Sequence, residues 1–541
     1  MRRIAPRSTS ALGRLTIILV TAILLSACGK PEARSTVITF GCLSDQTAAY
    51  QALADEFHQI HPQITVHIQQ VDSAFDPSNP VPTLQALATQ ADAFIWYNLG
   101  LDQAARLGVL FDLQPLLEKS SATEADFLSG VLDAFRFNNG LWGLAAYADP
   151  IVMFYDRVVF DQLGVAYPQR GWSWQDFLTT AERLTQREGG ETARYGFVDT
   201  SDLFPLALVY QHGGSLLQQE AGAPLMTPVL LDAHAVKALD WYKALATQYG
   251  VMPARTGPEA EDVSALVTDG RAAMWAANLS SLARWQAARG ASSIGVAPLP
   301  EDVSAAHPLI AWGYVVSKGT ANAQAAWYWI EYLTRRPGPP SASQGWAPAR
   351  QSLAEAETYW TQLGEAAPAV RYALDHPLTE PGLLELWQVI RPITPLARGE
   401  MSAEEFLVAA QARADAWQAE RMAVQPQPIG IVPPPQTAQA AQKTIVFGVM
   451  SDMQKAHYEA LAHAFMRSHP DVRVEVKDVT AGSAVVERDR VAETTDVFVW
   501  QSSEYVDPGN PSVLDLAPLI EMDGSFPTGD YAPGLSSGDG G

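Results

Sequence analysis

The sequence predicts an α/β fold, and three local patterns carry that expectation. Val37 to Phe40 is a short apolar run, the mark of a buried strand. Tyr50, Leu53, Ala54, Phe57 and Ile60 fall on one helical face, and Pro62 stops that helix. Ile64, Val66 and Ile68 alternate with polar residues as a second strand, and Ala93 to Trp96 forms a third. Strand, helix and strand in this order imply parallel pairing through a right-handed crossover. The loop with Ser44 and Asp45, and Tyr97 and Asn98 after the third strand, then lie at the carboxyl edge of the sheet. Ligands of open α/β sheets bind at that edge.

The first residues read as an address. Arg2, Arg3, Arg7 and Arg14 precede the apolar run Leu15 to Leu25, which is short for a membrane span. Leu25-Ser26-Ala27-Cys28-Gly29 resembles a bacterial lipobox, whose cysteine is acylated and becomes the mature N-terminus. A plain signal peptide is the alternative. The expectation is a signal peptide over 1–27 and a polar tether over 28–35, with Cys28 lipid-anchored at the cell envelope. Each buried methylene of such an anchor contributes about 0.8 kcal/mol. Cys42 then has no cysteine partner and reads as a small buried apolar residue.

Residues 444–472 repeat the opening of the chain. Ser44-Asp45, Tyr50, Ala52-Leu53-Ala54, Phe57 and His61-Pro62 return as Ser451-Asp452, Tyr458, Ala460-Leu461-Ala462, Phe465 and His469-Pro470. Asp92, Phe94 and Trp96 match Asp496, Phe498 and Trp500, while Asn98 becomes Ser502. The run from Leu110 matches that from Val513. The repeat stops after Tyr531 to Leu535, so 443–541 reads as an incomplete second copy of a first lobe.

Between these copies the pattern is mostly helical. Ser173 with Asp176 three residues on reads as a capping box, with Trp172 and Trp174 packing at that start. Ile294 to Ala297 and Gly313 to Val316 read as strands, and Ala326 to Leu333 and Ala403 to Ala419 as helices. Residues 422–442 are rich in Pro and Gln without an apolar period, hence a linker.

Several ordered stretches now add up. They are the opening unit, Ala91 to Asn98, Asn138 to Phe177, Leu266 to Leu279, Ile294 to Pro300, Ala311 to Thr320 and Gln344 to Arg350. Over about 36–421 the chain resembles the carbohydrate-type extracellular solute-binding proteins of ABC importers. The resemblance implies a two-lobe, type II-like periplasmic-binding fold with a hinge. Lobe one would cover about 36–147 and 302–345, and lobe two about 150–298 and 348–420. Crossings would lie near Tyr147 to Pro150, Leu299 and Trp346. Ligand at the centre closes such lobes. A membrane permease is the implied protein partner, and a sugar or oligosaccharide the implied ligand.

A sugar offers apolar C–H faces and a rim of hydroxyls. Aromatic rings complement the faces, and carboxylates, amides and guanidinium groups complement the rim. Trp312, beside Gly313, stands where the resemblance places a stacking aromatic. Gly313 would let a ligand approach the backbone. Tyr314 alternates with it and could turn inward. Trp275, Tyr147 and Asp149 are further candidates, with core packing and a turn before Pro150 as the plainer readings. Ser44 and Asp45 suit a ligand or a cap. Trp96, Asn98, Trp346 and Arg350 complete the candidate set, Arg350 as a fork for vicinal hydroxyls.

Other classes find little support. The balance of 36 basic and 59 acidic residues, or 36 − 4 = 32 against 59 without the leader arginines, argues against nucleic acid. No cysteine–histidine cluster has zinc spacing, and His58 with His61 reads as a helix end. No phosphate loop or GxSxG elbow appears, so neither cofactor nor metal is expected. The expected protein is not an enzyme; a surface glycosidase would need a carboxylate pair that the sequence does not offer. A polyamine or peptide ligand, and a sensory or adhesive role, stay open.

Overall fold

Strand β1 (Thr36–Cys42) pairs in parallel with β2 (Ile64–Gln70) and β3 (Ala93–Tyr97), and α1 (Thr47–Ile60) makes the first crossover. Its register is Thr36 with Ile64 and Phe40 with Ala93. This is the arrangement implied by the strand and helix periods. The computed structural model describes residues 36–71, 76–120, 124–128, 130–220, 223–254, 263–339, 345–391 and 393–431, with parts of 443–498. The leader, Cys28, the tether, linker residues 432–442, Ser451, Asp452, Trp500 and Ser502 lie outside them.

After α2 (Leu101–Leu107) comes β4 (Leu144–Asp156), thirteen residues buried at every position. Its first half pairs antiparallel with β8 (His307–Val316), ending at Pro150 opposite Leu309. Its second half starts at Ile151 opposite Asn278, pairing with β6 (Ala272–Asn278), and it also pairs with β7 (Ile294–Ala297). Proline lacks an amide donor. Pro150 sits where the ladder changes partner, so the missing donor falls at the handover between two lobes. The main path through the sheet is β2-β1-β3-β8-β4-β6-β5, with β5 at Glu191–Asp199 parallel to β6. β9 (Ala347–Pro348) adds a second return across β4.

Two apolar cores follow from this layout. One gathers Phe40, Tyr50, Phe57, Tyr314 and Trp329 under α1 and α6 (Ala323–Leu333). Phe57 is fully buried, edge-on to Trp329 at 5.2 Å. Burying such a ring contributes roughly 1.5–3 kcal/mol. The other gathers Phe177, Phe197, Phe204 and Trp387 under α3 (Trp174–Leu184), α4 (Ala233–Thr247) and α8 (Leu383–Ile390). Ser173 and Asp176 form a complete capping box on α3, and Trp172 and Trp174 pack beside it.

One tie between the lobes had no sequence signal. α9 (Ala403–Ala423) opens with a capping box at Ser402 and Glu405 and packs on α8 and α4. At about 1.5 Å per residue its 21 residues span about 30 Å. Its far end reaches the first lobe, where Trp417 donates to the Ser78 carbonyl at 3.0 Å. Ile429 then packs against the first core, so the stretch expected as linker from 422 begins as docked chain.

Pro433–Gly541 is a second unit. Its strands β10 (Lys443–Val449), β11 (Val472–Asp478) and β12 (Val497–Phe498) are parallel in the order β11-β10-β12. Lys443 stands opposite Val472, and Phe447 opposite Val497. The Asp496 carboxylate accepts the Val446 amide at 2.7 Å, as Asp92 accepts that of Thr39 at 2.8 Å. Phe447 and Tyr458 lie 4.9 Å apart, as do Phe40 and Tyr50.

Candidate functional site

The pairing of β4 with β8 sets Tyr147 opposite Trp312, and their rings stack at 4.9 Å and 24°. The Tyr147 hydroxyl accepts the Gly338 amide at 2.8 Å. Beside Tyr147 opens a cavity of about 490 Å³. One wall is the turn after β6 and the start of α5 (Leu282–Arg289), with Leu279, Leu282, Ala283 and Gln286. A second is the crossing segment, with Gly345, Trp346 and Pro348. The third precedes and includes α7 (Tyr359–Leu363), with Glu357, Tyr359, Gln362 and Leu363. Among the described residues, no lysine, arginine or histidine lines it.

Thr358 holds φ at 54°, in the left-handed region. For a β-branched residue this costs of order 1–3 kcal/mol, a strain that collects at binding sites. It starts α7 so that Tyr359 joins the lining. Among the described residues the Tyr359 hydroxyl is buried without a hydrogen-bond partner. Burial, then the nearby Asp149 charge, push that hydroxyl far above the usual phenol range. Burial also raises the Glu357 carboxyl. A ligand hydroxyl would satisfy the Tyr359 hydroxyl, since an unpaired buried polar atom is costly.

Of the expected residues, Tyr147 and Trp346 line this cavity. Trp312 lies against Tyr147 and is 3% exposed. Gly313 sits at a register shift where an added Cβ would meet the Leu144 carbonyl oxygen at 2.4 Å. Its bareness therefore serves the β4–β8 approach. Tyr314 turns inward, its hydroxyl 3.3 Å from that of Tyr50. Trp275 is buried in the core, stacked on Phe154 and edge-on to Trp285. Trp96 donates to the Leu99 carbonyl, and Asn98 straps β8 through Leu309 and Ala311. Ser44 and Asp45 are exposed in a short turn before α1.

Asp149 and Arg350 are both held by protein groups. Asp149 accepts the Ser280 amide at 2.8 Å and its hydroxyl at 2.6 Å. The Arg350 guanidinium is wholly enclosed, donating to Asp126 and Thr334 over the Phe127 ring. Sequence patterns missed Tyr359, Glu357 and Gln286 in the lining. They also missed Gln46, buried beside Ser44 with its amide oxygen unpaired among the described residues. Among the described residues, no three His, Cys, Asp or Glu side chains could hold a metal.

Burial pushes the Asp149 carboxyl up to about 6, against the lowering effect of Ser280. A raised carboxyl stabilises the fold while protonated, and loses that contribution as pH rises through the folded value. Stability should therefore fall by about 3 kcal/mol between pH 4 and 6 from this group. Urea midpoints measured across that window should show the decline, and Asp149→Asn should remove that component. An undiminished slope in the variant would exclude Asp149 as its source.

The sequence profile of bacterial extracellular solute-binding proteins matches residues 43–338, more than half of the chain. A mannitol-binding protein of Pseudomonas aeruginosa is 23% identical over 363 residues, 60% of this chain and 80% of that protein. The sugar-binding protein MalE of Xanthomonas citri superposes with a TM-score of 0.60 at 21% identity, covering 72% of this chain and 98% of that one. UgpB of Mycobacterium tuberculosis, solved with glycerophosphocholine, gives 0.55 at 20% identity, covering 72% and 100%. The fold is thus the two-lobe periplasmic-binding type, working outside the cytoplasm. Among the described residues no helix is long and apolar enough to cross a membrane. The chain belongs to the bacterial extracellular solute-binding proteins.

Proposed function

We propose that the first unit captures a sugar or short oligosaccharide and hands it to the permease of an ABC importer, tethered through an acylated Cys28. The lining of the cavity carries this reading. Tyr147, Trp346 and Tyr359 offer aromatic surface for C–H faces, and Gln286, Gln362 and Glu357 offer groups for hydroxyls. With no cationic side chain in the lining, a phosphate or carboxylate ligand would lack a counter-charge. The mannitol and MalE likenesses agree with a polyhydroxylated ligand. The lipobox-like run supports the tether, and the repeated register of β10, β11 and β12 supports a second copy of the opening unit. The protein binds its solute without turning it over.

Glu357 in an aromatic cavity also suits a polyamine, which keeps a second reading open. A thermal-shift panel of neutral saccharides, polyols and polyamines on the full chain separates them. A saccharide at a hundred times its dissociation constant should stabilise by about 2.7 kcal/mol. Trp346→Ala should remove most of that gain. Stabilisation by polyamines alone would replace the sugar reading, and cleavage of a saccharide during incubation would end it.

A further inference from the structure

We propose that closing the two lobes of the first unit takes up a proton at a latch built from Glu385, Asp102 and Arg421. The three side chains come from both sides of the lobe boundary. α2 starts at the carboxyl edge of β3 in the first lobe, and it carries Asp102 in its first turn. α8 and α9 belong to the second core and carry Glu385 and Arg421. Arg421 donates to both Asp102 oxygens, at 2.7 and 2.6 Å. The Glu385 carboxylate accepts the Gly100 amide. All three residues are at most 5% exposed.

The charge count sets the chemistry. Two buried carboxylates meet one buried guanidinium, and Asp102 takes both of the close bonds. A second buried carboxylate without its own counter-ion is costly, so it binds a proton instead. Burial and the Asp102 charge raise the Glu385 carboxyl, while Arg421 opposes them. The charged groups around it are few. α2 contributes Asp102 and Arg106, the latter bonded to the Arg421 and Val424 carbonyls. α9 contributes Arg421. Before α8, Glu380 is bonded to Tyr210, and after it Arg391 pairs with Asp202.

Opening about the β4 crossing would draw α8 and the body of α9 away from α2. Glu385 would then meet water and regain an ordinary carboxylate affinity for protons. A carboxyl raised in the closed form favours closure below its ordinary range, and that advantage vanishes as pH rises through the raised value. Between the two, the closing constant should change about tenfold per pH unit. Solute capture would thereby be coupled to acidity. This inference rests on the lobe contact and holds for any solute.

Fluorescence transfer between dyes at Glu118→Cys and Glu182→Cys, in a full chain carrying Cys28→Ser and Cys42→Val, tests it without added solute. These two exposed positions lie one on each lobe. Transfer is expected to report progressive opening as pH rises from 5 to 8. Glu385→Gln should hold the closed value throughout. Asp102→Asn should keep the transition but move its midpoint to lower pH, because Arg421 is then free to pair with Glu385. A pH-independent distance in the parent, or the parent's titration retained in Glu385→Gln, would overturn the proposal.

Discussion

Arg350→Met should lower the unfolding free energy of the first unit by about 3–5 kcal/mol. The substitution keeps much of the side-chain volume but removes a guanidinium that the fold encloses completely. Arg350 holds the crossing segment to two parts of the first lobe. Its Nη1 donates to Asp126 at 2.9 Å, and its Nε donates to Thr334 at the end of α6 at 2.9 Å. Burial alone would raise the Asp126 carboxyl, yet Ser352 and Arg350 together hold it below its usual range. Removing Arg350 leaves that carboxylate short of a counter-charge, which is why the single change costs more than the pair is worth. Asp126→Asn in the same chain should recover part of the loss, and a double-mutant cycle would measure the coupling. Tryptophan fluorescence in urea reads this unit almost alone, since of 15 tryptophans only Trp500 lies in the second. An unaltered midpoint would contradict the role assigned here.

Tyr359→Phe should act in opposite directions on stability and binding. Among the described residues its hydroxyl is buried without a partner, so phenylalanine should leave stability unchanged or raise it slightly. In the proposed complex a solute hydroxyl would pair with it. Its loss should weaken saccharide affinity by about 10- to 100-fold, or roughly 1–3 kcal/mol. Calorimetric titration beside a thermal melt checks both halves. Reduced stability with unchanged affinity would mark Tyr359 as a packing residue.

The opening β–α–β unit was legible because its apolar residues follow one clean period per element. The capping box at Ser173 was legible because Ser and Asp stand three apart before an apolar run. The site was harder. β6 is buried at six of its seven positions, so alternation could not say which way Trp275 turns. An aromatic residue in or beside a strand looks alike whether it lines a cavity, as Trp346 does, or braces Tyr147, as Trp312 does. Tyr359 belongs to a five-residue helix too short to show a period, and a left-handed threonine sets its place. Glu385 and Arg421 resemble the surface charges of amphipathic helices. Only the meeting of α2, α8 and α9 buries them.

Asp92 and Asp496 each turn a carboxylate onto the amide of the neighbouring strand, in sheets that share one alignment. That single bond works like a key in a slot: sliding either strand by one position would strand the carboxylate against a side-chain row. Fragments or chimaeras that retain this aspartate should therefore reassemble with the native phase, which makes it a compact tool for splicing such sheets together.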